Sequence, residues 1–300
     1  MESIHPFLKW AGGKFKLIDK ITHQFPTSYH SRYIEPFLGA GAVALNVVDF
    51  PVVIVNDINP DLILVWKALR DIPEQVIEQC ENLFLGTYNN ARDYYALRKE
   101  FNDWLAMDAR QAALFIYLNK HGFNGLCRYN RRGEFNVPFG KYATVGFDAN
   151  KLREIARKIR NQKWVITNTD YTHTMLLAAR NDIVYCDPPF VTDDQVKTGF
   201  TAYSKNAFGL SEQDRLAQEA QAAAKRGAFV IISNHDTAYT RELYTHYGGQ
   251  LVFFDVQRNI SCNGQKRHKA TELLAVFRPK EKIDFSSDDP SEYGENDSFA

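Results

Sequence analysis

Short apolar runs separated by helical patterns set the organisation of the chain. Residues 33–37 (Tyr-Ile-Glu-Pro-Phe), 52–56 (Val-Val-Ile-Val-Asn), 182–186 (Asp-Ile-Val-Tyr-Cys) and 228–234 (Ala-Phe-Val-Ile-Ile-Ser-Asn) are rich in β-branched and aromatic side chains. Each is followed by a turn or a helix start, which predicts short buried strands. Helical patterns lie between them, and such alternation predicts a mostly parallel α/β sheet. Near the end, Leu251–Gln257 and Glu272–Phe277 flank a polar loop and suit an antiparallel edge pair.

The stretch from 60 to 148 breaks this rhythm. Asn59-Pro60 is a helix-start signal, with Asn as N-cap and Pro at the first helical position. Helices are predicted over Asp61–Arg70, Glu74–Phe84, Ala91–Trp104 and Ala109–Asn119, followed by a strand-like passage from Leu126 to Phe139. The expected organisation is a sheet domain formed by 1–59 and 149–280, with 60–148 inserted as a helical domain ending in a hairpin. Residues 281–300 are rich in Ser, Asp and Glu, which predicts a disordered tail.

Composition narrows the class. At 45% hydrophobic and 13% aromatic residues, the 300-residue chain can bury a substantial core. Its longest apolar run, Ala112–Leu118, is too short to span a bilayer, and Met1–Pro6 lacks the features of an export signal. Cys80, Cys127, Cys186 and Cys262 are too dispersed for a disulfide framework or a zinc site. A reducing, cytoplasmic setting is expected, with no metal and no membrane partner. Acidic and basic residues balance at 36 each, but 281–300 holds seven acids and one base. The remaining 35 basic and 29 acidic residues make the body mildly basic, which permits a polyanionic partner.

Asp187-Pro188-Pro189-Phe190 directly follows a predicted strand, where open α/β sheets bind ligands. The prolines fix the backbone and remove donors, so a carboxylate, a rigid carbonyl and a flat ring are presented together. That set suits a planar heterocycle carrying an amino group; a strand ending in a Pro-Pro turn over a buried Phe is the plainer alternative. Gly39-Ala40-Gly41 follows the first strand and is expected to lead into a helix, with glycines permitting close approach of a ligand. Asp57 stands 18 residues beyond Gly39, a spacing at which an acid receives ribose hydroxyls. Ala44 stands where a dinucleotide fingerprint has its third glycine, which favours a nucleoside-like cofactor over a pyrophosphate.

Phe7-Leu8-Lys9-Trp10-Ala11-Gly12-Gly13-Lys14 lacks the first glycine and the hydroxyl residue of a triphosphate-binding loop, Phe15 following the lysine. Trp10 and Lys14 suit a charged aromatic cofactor, or else the start of a capped helix. From 120 to 142 five bases face one acid, interleaved with Asn and aromatic residues around an Asn130-Arg131-Arg132-Gly133 turn. Such a hairpin suits nucleic acid, or is a solvated basic hairpin. Arg258–Lys269 suits a phosphate-gripping loop or a plain surface loop. Ser233-Asn234-His235-Asp236 suits strand-end capping better than a catalytic pair.

In their order along the chain these motifs resemble the Dam-type DNA adenine-N6 methyltransferases: 7–14, 35–42, 56–59, 124–142, 184–189, 233–236 and 261–264. The resemblance implies an α/β, Rossmann-like methyltransferase sheet of seven strands that binds S-adenosylmethionine, with the insertion reading double-stranded GATC as a monomer. It implies that Trp10, Lys14, Asp57 and Asp187 line the cofactor site, with Ala11, Gly12 and Phe37 nearby and Asp170 toward the cofactor's adenine. It implies that Phe123 inserts into the DNA stack beside Asn124, that Leu126, Arg128 and Pro138 read bases, and that Lys9 touches the outer guanine. Asn130, Asn136 and Lys141 are then the phosphate contacts. Phe190 and Phe123 stand where that family usually has Tyr, keeping the ring and losing the hydroxyl. The expected reaction stacks a flipped adenine on Phe190, with its amino hydrogens on the Asp187 carboxylate and the Pro188 carbonyl. Competing readings are an enzyme acting on cytosine N4, RNA or a protein glutamine amide, and a non-catalytic DNA-binding regulator with this fold.

Overall fold

The computed structural model of the chain describes residues 3–29, 31–103, 106–191, 208–256 and 270–279. Seven strands form one sheet: β1 (Arg32–Glu35), β2 (Val52–Asn56), β3 (Trp164–Thr167), β4 (Ile183–Cys186), β5 (Phe229–His235), β6 (Gln250–Val256) and β7 (Ala270–Phe277). Their order is β3-β2-β1-β4-β5-β7-β6. The first five are mutually parallel, whereas β7 runs antiparallel between β5 and β6. The α/β class therefore holds, and the expected edge pair is real, with β7 inside the sheet and β6 on its rim.

Side chains that alternate along each strand feed two separate cores, as the two-residue period of a strand requires. Tyr33, Val53, Tyr185, Phe229 and Ile231 point to one face. Ile34, Ile54, Val184, Val230 and Ile232 point to the other. Both faces are covered, which is why β4 and the first four residues of β5 are apolar without interruption. The first face packs against α2 (Pro60–Asp71), α3 (Pro73–Leu83), α5 (Ala109–His121) and α6 (Ala149–Asn161). The second packs against α7 (Tyr171–Leu176), α8 (Leu210–Lys225) and α9 (Ala238–His246).

The predicted start of α2 is as expected: the Asn59 side chain accepts the N–H groups of Asp61 at 3.0 Å and Leu62 at 3.2 Å. α4 (Ala91–Asp103) and α5 follow the predicted pattern, and Asp108 caps α5 by accepting the Gln111 N–H at 3.0 Å. Leu114, Phe115 and Tyr117 of α5, with Phe135 and Val137 beyond it, share the core that lines the first face of the sheet. Among the described residues no helix is long and apolar enough to cross a membrane.

Two local expectations are corrected. The glycine turn after β1 leads into a series of turns, not a helix. Gly41 takes φ +68° there, and a Cβ on it would stand 2.9 Å from the Trp66 ring, so the position is reserved for glycine. The passage 126–139 forms two isolated bridges, Gly122 with Phe139 and Tyr129 with Phe135, in place of regular strands. Asn102 from α4 takes over both backbone groups of Phe135, accepting its N–H at 2.8 Å and donating to its carbonyl at 3.1 Å, so a side chain replaces the ladder. Strand β3 and helices α6 and α7 were not anticipated.

Gly41→Ala must either strain a left-handed backbone or displace the buried Trp66. It is expected to cost about 1–3 kcal/mol, read as a lowered urea midpoint with an unchanged slope.

Candidate active site

Three neighbouring strands end side by side, and their carboxyl ends carry the motifs. β1 lies between β2 and β4, at the point where the strand order reverses and α/β sheets open a crevice. Asp57, just past β2, accepts the Gly39 N–H at 2.9 Å on one oxygen and the Asn59 N–H at 3.0 Å on the other. Burial pushes its carboxyl above the ordinary aspartate value, against the pull of these backbone bonds. Gly39 has φ +50°, and a Cβ there would stand 2.8 Å from the Trp10 indole nitrogen. The glycine turn, its partner acid and the N-terminal loop are thus in contact.

Lys14 closes the other side of this crevice. It is only 4% exposed. Its ammonium donates to the Gly12 carbonyl at 2.7 Å, pairs with Asp187 at 3.0 Å and lies 4.2 Å from the centroid of the Phe190 ring. The same Asp187 oxygen accepts the Ser233 hydroxyl at 2.8 Å. Pro188 is buried and Pro189 exposed, and the His235 ring meets Phe190 edge-on at 4.6 Å. The turn is held from below: Asn234 accepts the Val191 N–H at 3.1 Å and donates to Gln213 at 3.0 Å and Tyr244 at 2.9 Å. Gln213 in turn donates to the Pro189 carbonyl at 2.7 Å. Ala11 and Gly12 are exposed in the loop beside this cluster.

Toward β3 the crevice becomes aromatic. Phe37 is half-buried, 5.1 Å from the Tyr171 ring and 5.5 Å from Phe208. Asp170 precedes Tyr171 and caps α7. Burial opposes ionisation of its carboxyl, but two bonds from Thr172 and the nearby Arg215 outweigh it and hold the group below its ordinary value. Asn56 joins the two strand ends by donating to the carbonyls of Pro36 at 3.1 Å and Thr169 at 3.0 Å.

The residues expected to meet DNA form a second group beside the first. Asn119 brackets the Lys9 backbone, accepting its N–H at 2.8 Å and donating to its carbonyl at 2.7 Å. The Lys9 ammonium donates to the Lys120 carbonyl at 2.7 Å and lies 3.8 Å from the Tyr142 ring centroid. Phe123 is 48% exposed, and its N–H donates to the Pro138 carbonyl at 2.8 Å. Asn124 sits at φ +54°, its N–H donating to the Tyr142 hydroxyl at 2.9 Å. Leu126 is half-buried against the core, whereas Pro138 and Lys141 are exposed. Arg128 donates to the side chain of Asn136 at 2.7 Å and to its carbonyl at 3.2 Å. Asn130 closes the turn by accepting the N–H groups of Arg132 and Glu134.

Arg258–Lys269, with the 261–264 motif, and the acidic tail 281–300 lie outside the described residues. The sequence argument missed the residues that position the motifs: Asn56, Ser233, Asn234 and Gln213. Ser233-Asn234 stood out as strand-end capping and as part of a family motif without a role, and nothing local marks a glutamine in α8 as the support of a distant proline.

Residues 10–260 match the family described as D12 class N6 adenine-specific DNA methyltransferase. The chain is 45% identical over 274 residues to the DNA adenine methylase of Haemophilus influenzae, covering 91% of this chain and 93% of that one. It is 42% identical over 280 residues to that of Escherichia coli K12, covering 93% and 97%. With that of Vibrio cholerae the identity is 41% over 281 residues, covering 93% and 98%.

Glu35, buried at the end of β1, accepts the Tyr33 hydroxyl at 2.8 Å. Burial drives its carboxyl well above the ordinary 4.5, and repulsion from Asp187 and Asp57 adds to this against the bond from Tyr33. The folded chain therefore keeps a proton that the unfolded chain releases above about pH 4.5. Its contribution to stability falls as pH rises from there toward the folded value. Glu35→Gln removes that slope, so the variant's Tm relative to the parent is expected to rise between pH 5 and pH 8. Parallel melting profiles across that range would contradict a protonated Glu35.

Proposed function

The chain belongs to the D12 class of N6 adenine-specific DNA methyltransferases, enzymes that methylate adenine in DNA, and from that premise we propose three finer assignments. The methyl donor is S-adenosylmethionine, the target lies within GATC in double-stranded DNA, and the adenine reaches the site by leaving the duplex. The enzyme acts as a cytoplasmic monomer on the nucleoid. The observation that carries the reading is the convergence of Trp10 and Lys14, Gly39 and Asp57, and Asp187 and Phe190 on one crevice.

The residues present fit that cofactor. Gly39 brings bare backbone to the crevice, Asp57 is fixed beside it as an acceptor for ribose hydroxyls, and Phe37 and Asp170 offer a ring and an ionised carboxylate to a purine. Trp10, Ala11, Gly12 and Lys14 form the opposite wall. Bound there, the sulfonium cofactor supplies a methyl group already activated for transfer. The chain's task is then to position the amine and to hold charge.

Adenine N6 is a weak nucleophile because its lone pair is delocalised into the ring. Phe190 offers a stacking face, the Asp187 carboxylate accepts one amino hydrogen and the Pro188 carbonyl accepts the other. These bonds draw the nitrogen toward a tetrahedral shape, aim its lone pair outward and stabilise the positive charge that develops. The Lys14 ammonium rests on both the Phe190 ring and Asp187, so it must yield that place when the base enters. The Ser233 hydroxyl on Asp187 keeps the carboxylate aimed while Lys14 moves.

On the DNA side, Phe123 is exposed for insertion beside Asn124. Leu126, Arg128 and Pro138 read bases, Lys9 meets the outer guanine, and Asn130, Asn136 and Lys141 hold phosphates. Arg128 reaches a base edge by exchanging its bonds to Asn136, which frees Asn136 for the backbone.

Labelled methyl transfer to duplexes differing only in GATC, followed by nucleoside mass spectrometry, tests the assignments. N6-methyladenine is expected in the GATC duplex alone; equal labelling of both duplexes removes the sequence assignment, and N4-methylcytosine removes the reaction. Asp187→Ala is expected to lower transfer at least about 10²-fold with duplex affinity largely kept, and near-normal turnover would refute its role. Arg128→Ala is expected to relax preference at one base pair by about 1–3 kcal/mol, whereas uniform weakening across sequences would make it a phosphate contact.

A further inference from the structure

A short chain of side-chain bonds runs from Asp57 to the hairpin and is used by neither the cofactor contacts nor the DNA contacts described above. Asp57 accepts the Asn59 N–H at 3.0 Å. The Asn59 side chain faces two ways. Its oxygen caps α2, and its amide donates to the Cys127 sulfur at 3.3 Å. Cys127 donates to the Tyr129 hydroxyl at 3.7 Å. That hydroxyl donates to Asp61 in the first turn of α2 at 2.6 Å and stands 3.4 Å from the Asn59 oxygen. Burial holds the Cys127 thiol up at about 11, so it keeps its donor hydrogen. Burial likewise raises the Asp61 carboxyl, and the bond from Tyr129 works against that rise.

Tyr129 lies between Arg128 and Asn130, and its ring packs edge-on against the buried Phe135 at 5.8 Å. These bonds therefore give the turn at Asp57 a contiguous route, through the N-terminus of α2, to the backbone that carries Arg128. Close packing transmits a shift along such a route instead of absorbing it. We infer that Asn59 and Tyr129 are positioning residues that couple ligand occupancy at Asp57 to the placement of the DNA-reading hairpin. The inference rests on the cofactor and DNA sides proposed above. Coupling of this kind is reciprocal: the cofactor tightens DNA by the factor by which DNA tightens the cofactor.

Tyr129→Phe keeps the ring and its packing and removes only the hydroxyl. Asn59→Ser keeps a good helix cap and removes the amide that reaches Cys127. The test is calorimetric titration of each full-length protein with S-adenosylhomocysteine, alone and saturated with a GATC duplex, together with duplex titrations with and without S-adenosylhomocysteine. The parent is expected to show a coupling factor of about fivefold or more, equal by both routes. In each variant the two separate affinities are expected to stay within about twofold while the factor falls toward one. A variant that keeps the parent's factor overturns the inference, as does one that loses the separate affinities with the factor intact, or a parent factor of one. No binding of S-adenosylhomocysteine to the parent would instead overturn the cofactor assignment itself.

Discussion

A buried ammonium is tolerated only where its charge and its hydrogens are met, and Lys14 is met by the Gly12 carbonyl and the Asp187 carboxylate. That requirement draws the N-terminal loop onto the end of β4 across most of the chain's length. Once the loop is there, Trp10 stands where it forbids a side chain at residue 39, and the tight turn after β1 follows. The turn in turn offers the Gly39 N–H to Asp57, which secures the end of β2. Removing one partner of such a pair leaves the other charge with poor solvation, so the assembly responds as a unit and not bond by bond.

Much of the sheet was legible because its buried strands announce themselves: residues 52–55 of β2 and 229–232 of β5 are unbroken apolar runs. β3 escaped because it is a four-residue edge strand with an exposed Val165, and its pattern is too short to stand out. The turn after β1 misled in the opposite direction. Gly-Ala-Gly beside a small-residue stretch resembles a helix start, but the segment closes as successive turns whose glycine at 41 packs against Trp66. The site motifs were visible because their chemistry needs unusual neighbours in sequence, such as an acid followed by two prolines. Their supports were not, because Gln213, Asn234 and Asn56 act across long sequence distances with ordinary local surroundings.

The two halves of the site are held differently. Asp57 and Asp187 sit on the ends of parallel strands whose ladders and two cores fix them closely. The hairpin has two isolated bridges and leans on Asn102 and Asn130 for much of its backbone bonding. Side-chain bonds of this kind exchange partners more readily than a ladder does, so the part that meets a variable surface is the more adaptable one. Arg128 and Asn136 illustrate this, since each occupies the other through two hydrogen bonds at the exposed face of the hairpin.

The reversed direction of β7 has a topographic result. Phe277, at its end, pairs with Val230 near the beginning of β5, so the chain leaves the sheet on the side away from Asp57 and Asp187. The end of β7 therefore lies behind the crevice that Asp57 and Asp187 border. A reporter or affinity handle joined at that end of β7 would begin on the side of the sheet opposite the two acids.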